Sequence, residues 1–203
     1  MLPNSVPKEI VLEVENLPHP QVGHSGFQCI VSIEGANLKV QARVDSSRFI
    51  VCDKTVYSYE AVTGEYEAEV TVVWNINHHV DKTTIILYKC EVLGSHREHA
   101  DCSLCVTRDA RFECTWCGNS CVYRHSCLHS PFAECPKPRI DMIKPLSGPI
   151  EGGTLVTIEG SNLGLKESDV DGKIHIGDTP CTLVDYEVSV RIVCRTGRHE
   201  ATD

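Results

Sequence analysis

The segment LKVQARV, residues 38–44, alternates without a break: Leu38, Val40, Ala42 and Val44 are apolar, while Lys39, Gln41 and Arg43 are polar. A period of two residues is the signature of a half-buried strand. Short runs rich in β-branched residues recur on either side of it: EIVLEV (9–14), FQCIVSI (27–33), RFIVC (48–52), YEAEVTVVW (66–74) and TTIILYKC (83–90). NLPHP breaks the chain after the first run and EGAN after the second, and DSS separates 38–44 from 48–52. NINHHVDK is expected to join the last two strands as a hairpin, with His78 and His79 in its exposed tip. No long stretch carries apolar residues at i, i+3, i+4 and i+7, so helices are not expected. Strands at this spacing predict an antiparallel β-sandwich over residues 1–89.

From Cys90 to Cys135 the pattern changes. Aliphatic residues thin out and eight cysteines fall within 46 residues: Cys90, Cys102, Cys105, Cys114, Cys117, Cys121, Cys127 and Cys135. So short a segment, 90–136 with its flanking proline, cannot bury a large apolar core and needs covalent or metal staples. PKPRIDMIKP (136–145) then reads as a short, stiff junction into a third section, 137–203. Strands are expected at LVTIEG (155–160), KIHIG (173–177), CTLVDYE (181–187) and RIVCRT (191–196), with dense turn chemistry between them. VRIVC ending at Cys194 repeats RFIVC ending at Cys52, and each follows an earlier strand cysteine, Cys181 and Cys29. Sections one and three therefore read as two versions of one sandwich. After Cys52 the first copy continues for 38 residues, whereas nine residues follow Cys194, so the third section is expected to lack its last hairpin and to be marginal alone.

The chain has 203 residues, 19 basic and 28 acidic, for a net charge of −9. No Lys/Arg cluster exists to neutralise phosphates, which argues against nucleic-acid or anionic-membrane partners. No apolar run reaches the ~18 residues of a membrane helix, and MLPNSVPKEIVLEV has no basic end followed by an apolar core, so it is no signal peptide. The cysteines admit two chemistries. Paired C-x-x-C motifs with His125 and His129 nearby suit zinc. However, the two pairs stand eight residues apart, where zinc ribbons use ~15–20. Zinc also leaves Cys29, Cys52, Cys181 and Cys194 unexplained, while the even total of twelve suits full pairing. Disulfides are favoured, and with them an oxidising compartment and a longer secreted or membrane-anchored parent. The competing reading is an intracellular zinc-binding adaptor.

The run YKCEVLGSHREHADCSLCVTRDARFECTWCGNSCVYRHSC…ECP resembles a PSI domain, the cysteine-rich module of plexins, semaphorins and integrins. The family usually has Gly before its Trp; this chain has Thr115 before Trp116. PRIDMIKPLSGPIEGGTLVTIEGSNLG resembles the start of an IPT (TIG) domain, an immunoglobulin-like sandwich. The order sandwich, PSI, IPT resembles the extracellular stalk of a plexin, and the LYKC approach to the cluster is most similar to type A plexins. The resemblance implies an all-β fold of IPT-like sandwich (1–89), PSI domain (90–136) and C-terminally incomplete IPT sandwich (137–203). It also implies the pairing Cys90–Cys114, Cys102–Cys135, Cys105–Cys121 and Cys117–Cys127, with Cys29–Cys52 and Cys181–Cys194 in the sandwiches. Spacing alone leaves 105 pairings of eight cysteines open. Cys102–Cys135 would close the longest loop of the cluster, a contribution of about 3–4 kcal/mol in the chain-entropy picture.

Other candidate chemistry reads as structure. Trp116, between two half-cystines, is expected to fill the centre of a domain with little else apolar. Gly152 and Gly153 in the EGGT turn are expected at positive φ, since no phosphate-loop pattern or helix follows. SDVDG (168–172) lacks the third oxygen position and distal Glu of a calcium loop. No G-x-S-x-G or H-E-x-x-H occurs, so no enzyme, cofactor or metal site is expected. No N-x-[ST] sequon occurs either; only Asn119-Ser120-Cys121 offers the rare N-x-C form, and early bridging of Cys121 predicts little or no N-glycan. The resemblance implies a semi-rigid extracellular spacer of a single-pass plasma-membrane semaphorin receptor in axon guidance. Its partners would be the neighbouring domains, with semaphorin and co-receptor engaged only through the parent protein. A free-standing adhesion or matrix protein shares the same chemistry.

Overall fold

The computed structural model describes residues 1–15, 17–18, 26–128 and 134–200. The chain divides into two compact units, Met1–Lys89 and Cys90–Asp203. Most of the NLPHP break, at Asn16, His19 and Pro20, lies outside the described residues, as does His129.

The first unit holds seven strands: β1 (Leu2–Pro3), β2 (Pro7–Glu13), β3 (Phe27–Ile33), β4 (Ala36–Val44), β5 (Phe49–Val56), β6 (Glu65–Trp74) and β7 (His78–Tyr88). Their order is β1-β7-β6-β3-β4-β5-β2. In β3 the two-residue period is visible directly: Phe27, Cys29, Val31 and Ile33 are buried and the residues between them are half-exposed. Ala68, Val70 and Val72 of β6, Ile10 and Leu12 of β2, and Ile50 and Cys52 of β5 join the same core. Cys29 and Cys52 are bonded, with Cα atoms 5.9 Å apart. Strand β4 lies between theirs in the order, and in a flat sheet two steps would span about 9–10 Å. The sheet therefore folds back on itself about β4, and the disulfide ties the two layers of the resulting sandwich.

Two differences from the sequence reading have local causes. His78 and His79 belong to β7, opposite Trp74 and Val73, and not to the hairpin tip. The turn is tighter because Asn75 and Ile76 take positive φ, 47° and 77°, and reverse the chain at once. Leu38 and Val44, apolar in the alternation, remain 37 % and 38 % exposed, and only Val40 of that set is buried at 6 %. They sit at or near the two ends of β4: its first part pairs with β3, and only Ala42–Val44 pair with β5. The loop after β5 is clasped by Glu34, whose carboxylate accepts from the Glu60 and Ala61 N–H groups, each at 2.9 Å. On the same loop Lys89 donates to the Ala61 carbonyl at 2.9 Å and stands over the Tyr59 ring.

The second unit begins with the cysteine-rich segment: α1 (Cys90–Leu93), β8 (Ser95–His96), β9 (His99–Ala100), α2 (Cys102–Val106), β10 (Cys114–Cys117) and β11 (Ser120–Tyr123). The helices are four and five residues long, too short to show a helical period. Four bonds cross this segment: Cys90–Cys114, Cys102–Cys135, Cys105–Cys121 and Cys117–Cys127. Around them Phe112, Trp116 and Tyr123 are buried.

The third section adds β12 (Arg139–Lys144), β13 (Leu155–Ser161), β14 (His175–Ile176), β15 (Thr179–Glu187) and β16 (Arg191–Thr196), in the order β12-β13-β16-β15-β14. The strand expected over 173–177 shrinks to two residues because Gly172 and Gly177 turn the chain on either side, at φ 70° and 61°. Val156, Ile158, Leu163, Val170 and Ile192 form the core with bonded Cys181 and Cys194. Cys194 opposes Val156 much as Cys52 opposes Ile10, so this half of the repeat is shared. The partners differ: Cys181 lies on the strand directly paired with that of Cys194, whereas Cys29 lies one strand further from Cys52. Gly152 and Gly153 have φ 82° and 85°. A Cβ at Gly152 would stand 2.3 Å from the Gly197 carbonyl oxygen, so the EGGT turn is a place of close backbone approach.

Candidate functional site

The second unit carries its most connected polar group at the seam between the cysteine-rich segment and the third section. Asp101 is 1 % exposed. It precedes α2 with an extended backbone and caps that helix, its Oδ1 accepting from the Leu104 N–H at 2.8 Å. The same carboxylate reaches into the third section. Oδ1 accepts from the Ser189 hydroxyl at 2.5 Å, and Oδ2 accepts from the Asn162 N–H at 3.0 Å. Asn162 answers in kind: its Oδ1 accepts from the Cys102 N–H at 3.1 Å and the Ser103 N–H at 3.3 Å. The free N–H groups at a helix start normally meet water or a cap from their own chain segment. Here two of them are satisfied by a side chain some sixty residues away in sequence.

Both donors on the sandwich side are held in place. Asn162 and Ser189 have positive φ, 54° and 69°, a conformation that Asn tolerates better than most residues because its short amide bonds locally. The Leu163 N–H donates to the Ser189 carbonyl at 3.1 Å, and the Gly160 N–H to the Val190 carbonyl at 3.0 Å, so the two loops brace each other. Tyr186 donates its hydroxyl to the Gly164 carbonyl at 2.6 Å and accepts from the Ser189 N–H at 3.4 Å. Burial pushes the Tyr186 hydroxyl above its ordinary pKa, and the charges of Asp169 and Asp101 add to that. It stays a neutral donor.

A second clamp lies on the tip of the β8–β9 ribbon. Arg97 and Glu98 both take positive φ, 47° and 66°, which is strained for side chains of this kind. Arg97 crosses from this turn to Glu159 of β13 at 2.7 Å. Glu159 is only 17 % exposed, so the pair is partly shielded from solvent. Nearby on β12, Arg139 binds Asp141 at 2.7 Å and holds that carboxyl below its usual pKa, with lesser help from His99 and Arg97. Arg97, Asp101, Arg139, Asp141 and Glu159 together line a small polar cleft at this seam. Its distinctive element is a desolvated carboxylate with three donors, one from its own segment and two from the third section.

The residues singled out from the sequence lie elsewhere. Every described cysteine is in a disulfide and none is free, so the zinc reading has no thiolate ligands. Among the described residues no group of three or more His, Cys, Asp and Glu could hold a metal ion. His125 lies 3.9 Å from Glu113 and packs against the Tyr123 ring. In SDVDG, Asp169 Oδ2 accepts from both the Leu165 and Lys166 N–H groups, so that oxygen is engaged inside the turn. Thr115 and Trp116 are both buried, on β10 opposite Val122 and Cys121. The sequence reading passed over Asp101, Asn162 and Ser189. A trace existed for Asp101: an Asp directly before C-x-x-C is a helix-cap signal. None existed for its partners, 61 and 88 residues away.

Comparison with known proteins follows the same division of the chain. Residues 1–88 match the family described as a TIG domain found in plexin, residues 94–142 the plexin repeat (PSI), and residues 138–203 the IPT/TIG domain. The chain is 38 % identical over 214 residues to mouse (Mus musculus) Plexin-A4, covering 97 % of this chain and 11 % of that protein. It is 35 % identical over 213 residues to human (Homo sapiens) Plexin-B1, covering 97 % and 10 %. It thus spans about a tenth of the length of the curated relatives it matches. Two crystal forms of the full extracellular region of plexin A4 superpose on all of it, with TM-scores of 0.87 and 0.84 at 35 % and 36 % identity, covering 21 % and 18 % of those chains.

Proposed function

Because the chain carries a plexin TIG domain, a PSI domain and an IPT/TIG domain in series and so belongs to the plexin family, as a segment of its extracellular region, we propose that it is a semi-rigid spacer in a semaphorin receptor. In this reading the parent is a single-pass plasma-membrane protein that relays semaphorin guidance cues to growing axons. Semaphorin and co-receptor contact other domains of the parent, and this segment is neither an enzyme nor the ligand site. Its direct partners are the domains on either side of it.

The observation that carries the proposal is the buried Asp101 carboxylate shared between α2 and the loops of Asn162 and Ser189. A hinge built to flex exposes its polar contacts to water, where they exchange freely. A desolvated carboxylate holding three donors resists such exchange, because opening the seam breaks its bonds to Asn162 and Ser189 and leaves only the Leu104 cap. Together with the Arg97–Glu159 pair, it converts a change of pose at the cysteine-rich end into a change of pose of the third section. The test is binding of purified chain to immobilised semaphorin. Weak or absent binding is expected, while micromolar or tighter affinity overturns the spacer reading. Distance distributions between spin labels on β11 and β15 test the rigidity: a single narrow peak is expected, and a broad one refutes a fixed angle.

A further inference from the structure

The turn between β10 and β11 places Asn119 and Cys121 in opposite environments. Asn119 is exposed at the tip of the ribbon, one residue after Gly118, which turns at φ 64°. Cys121, two residues on, is 0 % exposed and bonded to Cys105. Asn119-Ser120-Cys121 is thus an N-x-C acceptor motif whose amide is reachable in the finished fold and whose thiol is sealed.

We propose that Asn119 is an N-glycan acceptor gated by the thiol of Cys121, open while that thiol is reduced and shut once Cys105–Cys121 forms. The proposal rests on the extracellular reading, since only a chain passing through the secretory compartment meets the required donor. In the reaction, Asn119 Nδ2 attacks the anomeric carbon of a lipid-linked oligosaccharide. The N–C bond forms, the bond from that carbon to the lipid diphosphate breaks, the diphosphate leaves with the electron pair, and Nδ2 loses its proton to a base on the transferase. At the third motif position the transferase needs a hydrogen-bonding hydroxyl or thiol; a thiol serves weakly and a disulfide sulfur has no proton to offer.

The chain order sets up a race. Cys105 is 16 residues ahead of Cys121 and so is already in the oxidising compartment when Cys121 arrives. Closure therefore wins in most molecules and occupancy of the natural chain is low. A molecule that is glycosylated first still folds, because a sugar on the exposed turn points away from the buried sulfurs.

The experiment expresses the full chain behind a cleavable secretory leader in cells that perform N-glycosylation. Total cellular chain is then read by gel shift and mass before and after enzymatic removal of N-glycans. The readout does not require folding, so variants that lose a disulfide remain informative. Low occupancy is expected for the natural chain, a several-fold rise for Cys105→Ser and for natural chain made under mild dithiothreitol, and high occupancy for Cys121→Ser. No occupancy is expected for Asn119→Gln or Cys121→Ala. Glycosylation of Cys121→Ser without any rise in Cys105→Ser and under dithiothreitol overturns the thiol gate. No glycan on Cys121→Ser overturns the acceptor site itself. Free thiols in the secreted natural chain would instead overturn the extracellular disulfide reading, and the two failures are thereby told apart.

Discussion

Replacing Asp101 by Ala removes an acceptor from Leu104, Asn162 and Ser189 at once. Loss of a helix cap alone is worth about 1 kcal/mol. The Ser189 hydroxyl sits at 0 % exposure, and a buried donor stripped of a charged partner costs about 1–3 kcal/mol. The Asn162 N–H, at the seam, loses about 1 kcal/mol more. The sum is about 3–5 kcal/mol, and for a unit of about 110 residues it lowers the midpoint of unfolding by about 12–20 °C. Differential scanning calorimetry of the whole chain reads this as a shift in the transition of the second unit, with that of the first unit unmoved. Hydrogen exchange supplies the spatial signature: protection falls together at Cys102, Ser103 and Leu104 on one side of the seam and at Asn162 and Leu163 on the other. Asn162→Ala strips the cap from the Cys102 and Ser103 N–H groups, and the double variant should lose less than the sum of the two single losses, because both act on one network. A shift below about 4 °C, or strict additivity, or loss of protection confined to α2, would refute the coupling of the two modules through Asp101.

Gly94→Ala should prevent closure of one disulfide: its Cβ would lie 2.5 Å from Cys121 Cβ and 2.6 Å from Cys121 Sγ, and thiol titration of unreduced protein should then find two reactive thiols where the natural chain has none. Gly160→Ala puts a Cβ 2.0 Å from the Arg139 carbonyl oxygen, a backbone atom that cannot rotate away; β12 should detach from β13, with a loss of about 1–3 kcal/mol in chemical denaturation. Glu34 has its pKa held below the ordinary 4.5 by the backbone N–H groups of Glu60 and Ala61. Its contribution is therefore complete above the unfolded value and lost as pH falls through the lower folded value, so the stability gap between natural chain and Glu34→Gln should close as pH falls below the ordinary 4.5. A gap that stays constant as pH falls would refute the clasp.

The strands of the first unit were legible because their period of two coincides with burial, as at Phe27, Cys29, Val31 and Ile33. The two-residue elements β1, β8 and β9 have no period to read, whereas β14 was legible as part of the longer KIHIG run. Helix α2 left one trace, Cys102 and Cys105 three apart on one face, and that spacing reads equally well as a zinc motif. The extracellular plexin assignment was legible through motif resemblance and is supported by matches along the whole chain. The seam was illegible for a different reason. Its donors are ordinary turn residues in sequence, Asn162 in GSNLG and Ser189 in EVSV, and they acquire meaning only when two modules are brought together. Local pattern reports what a segment buries against its own neighbours, whereas the contacts that set an angle between modules are long-range.

Leu2 and Pro3 run parallel to Leu87 and Tyr88, the one parallel pairing among the described strands, and the Asn4 N–H adds a bond to the Tyr88 carbonyl at 2.8 Å. When the first unit is stretched between its Met1 side and its Lys89 side, parallel neighbours are dragged in opposite directions along their common axis. The hydrogen bonds then bear the load together and must rupture together, where an antiparallel flap would unzip one rung at a time. A short patch of backbone thus acts as a mechanical latch, resisting a pull between its two ends.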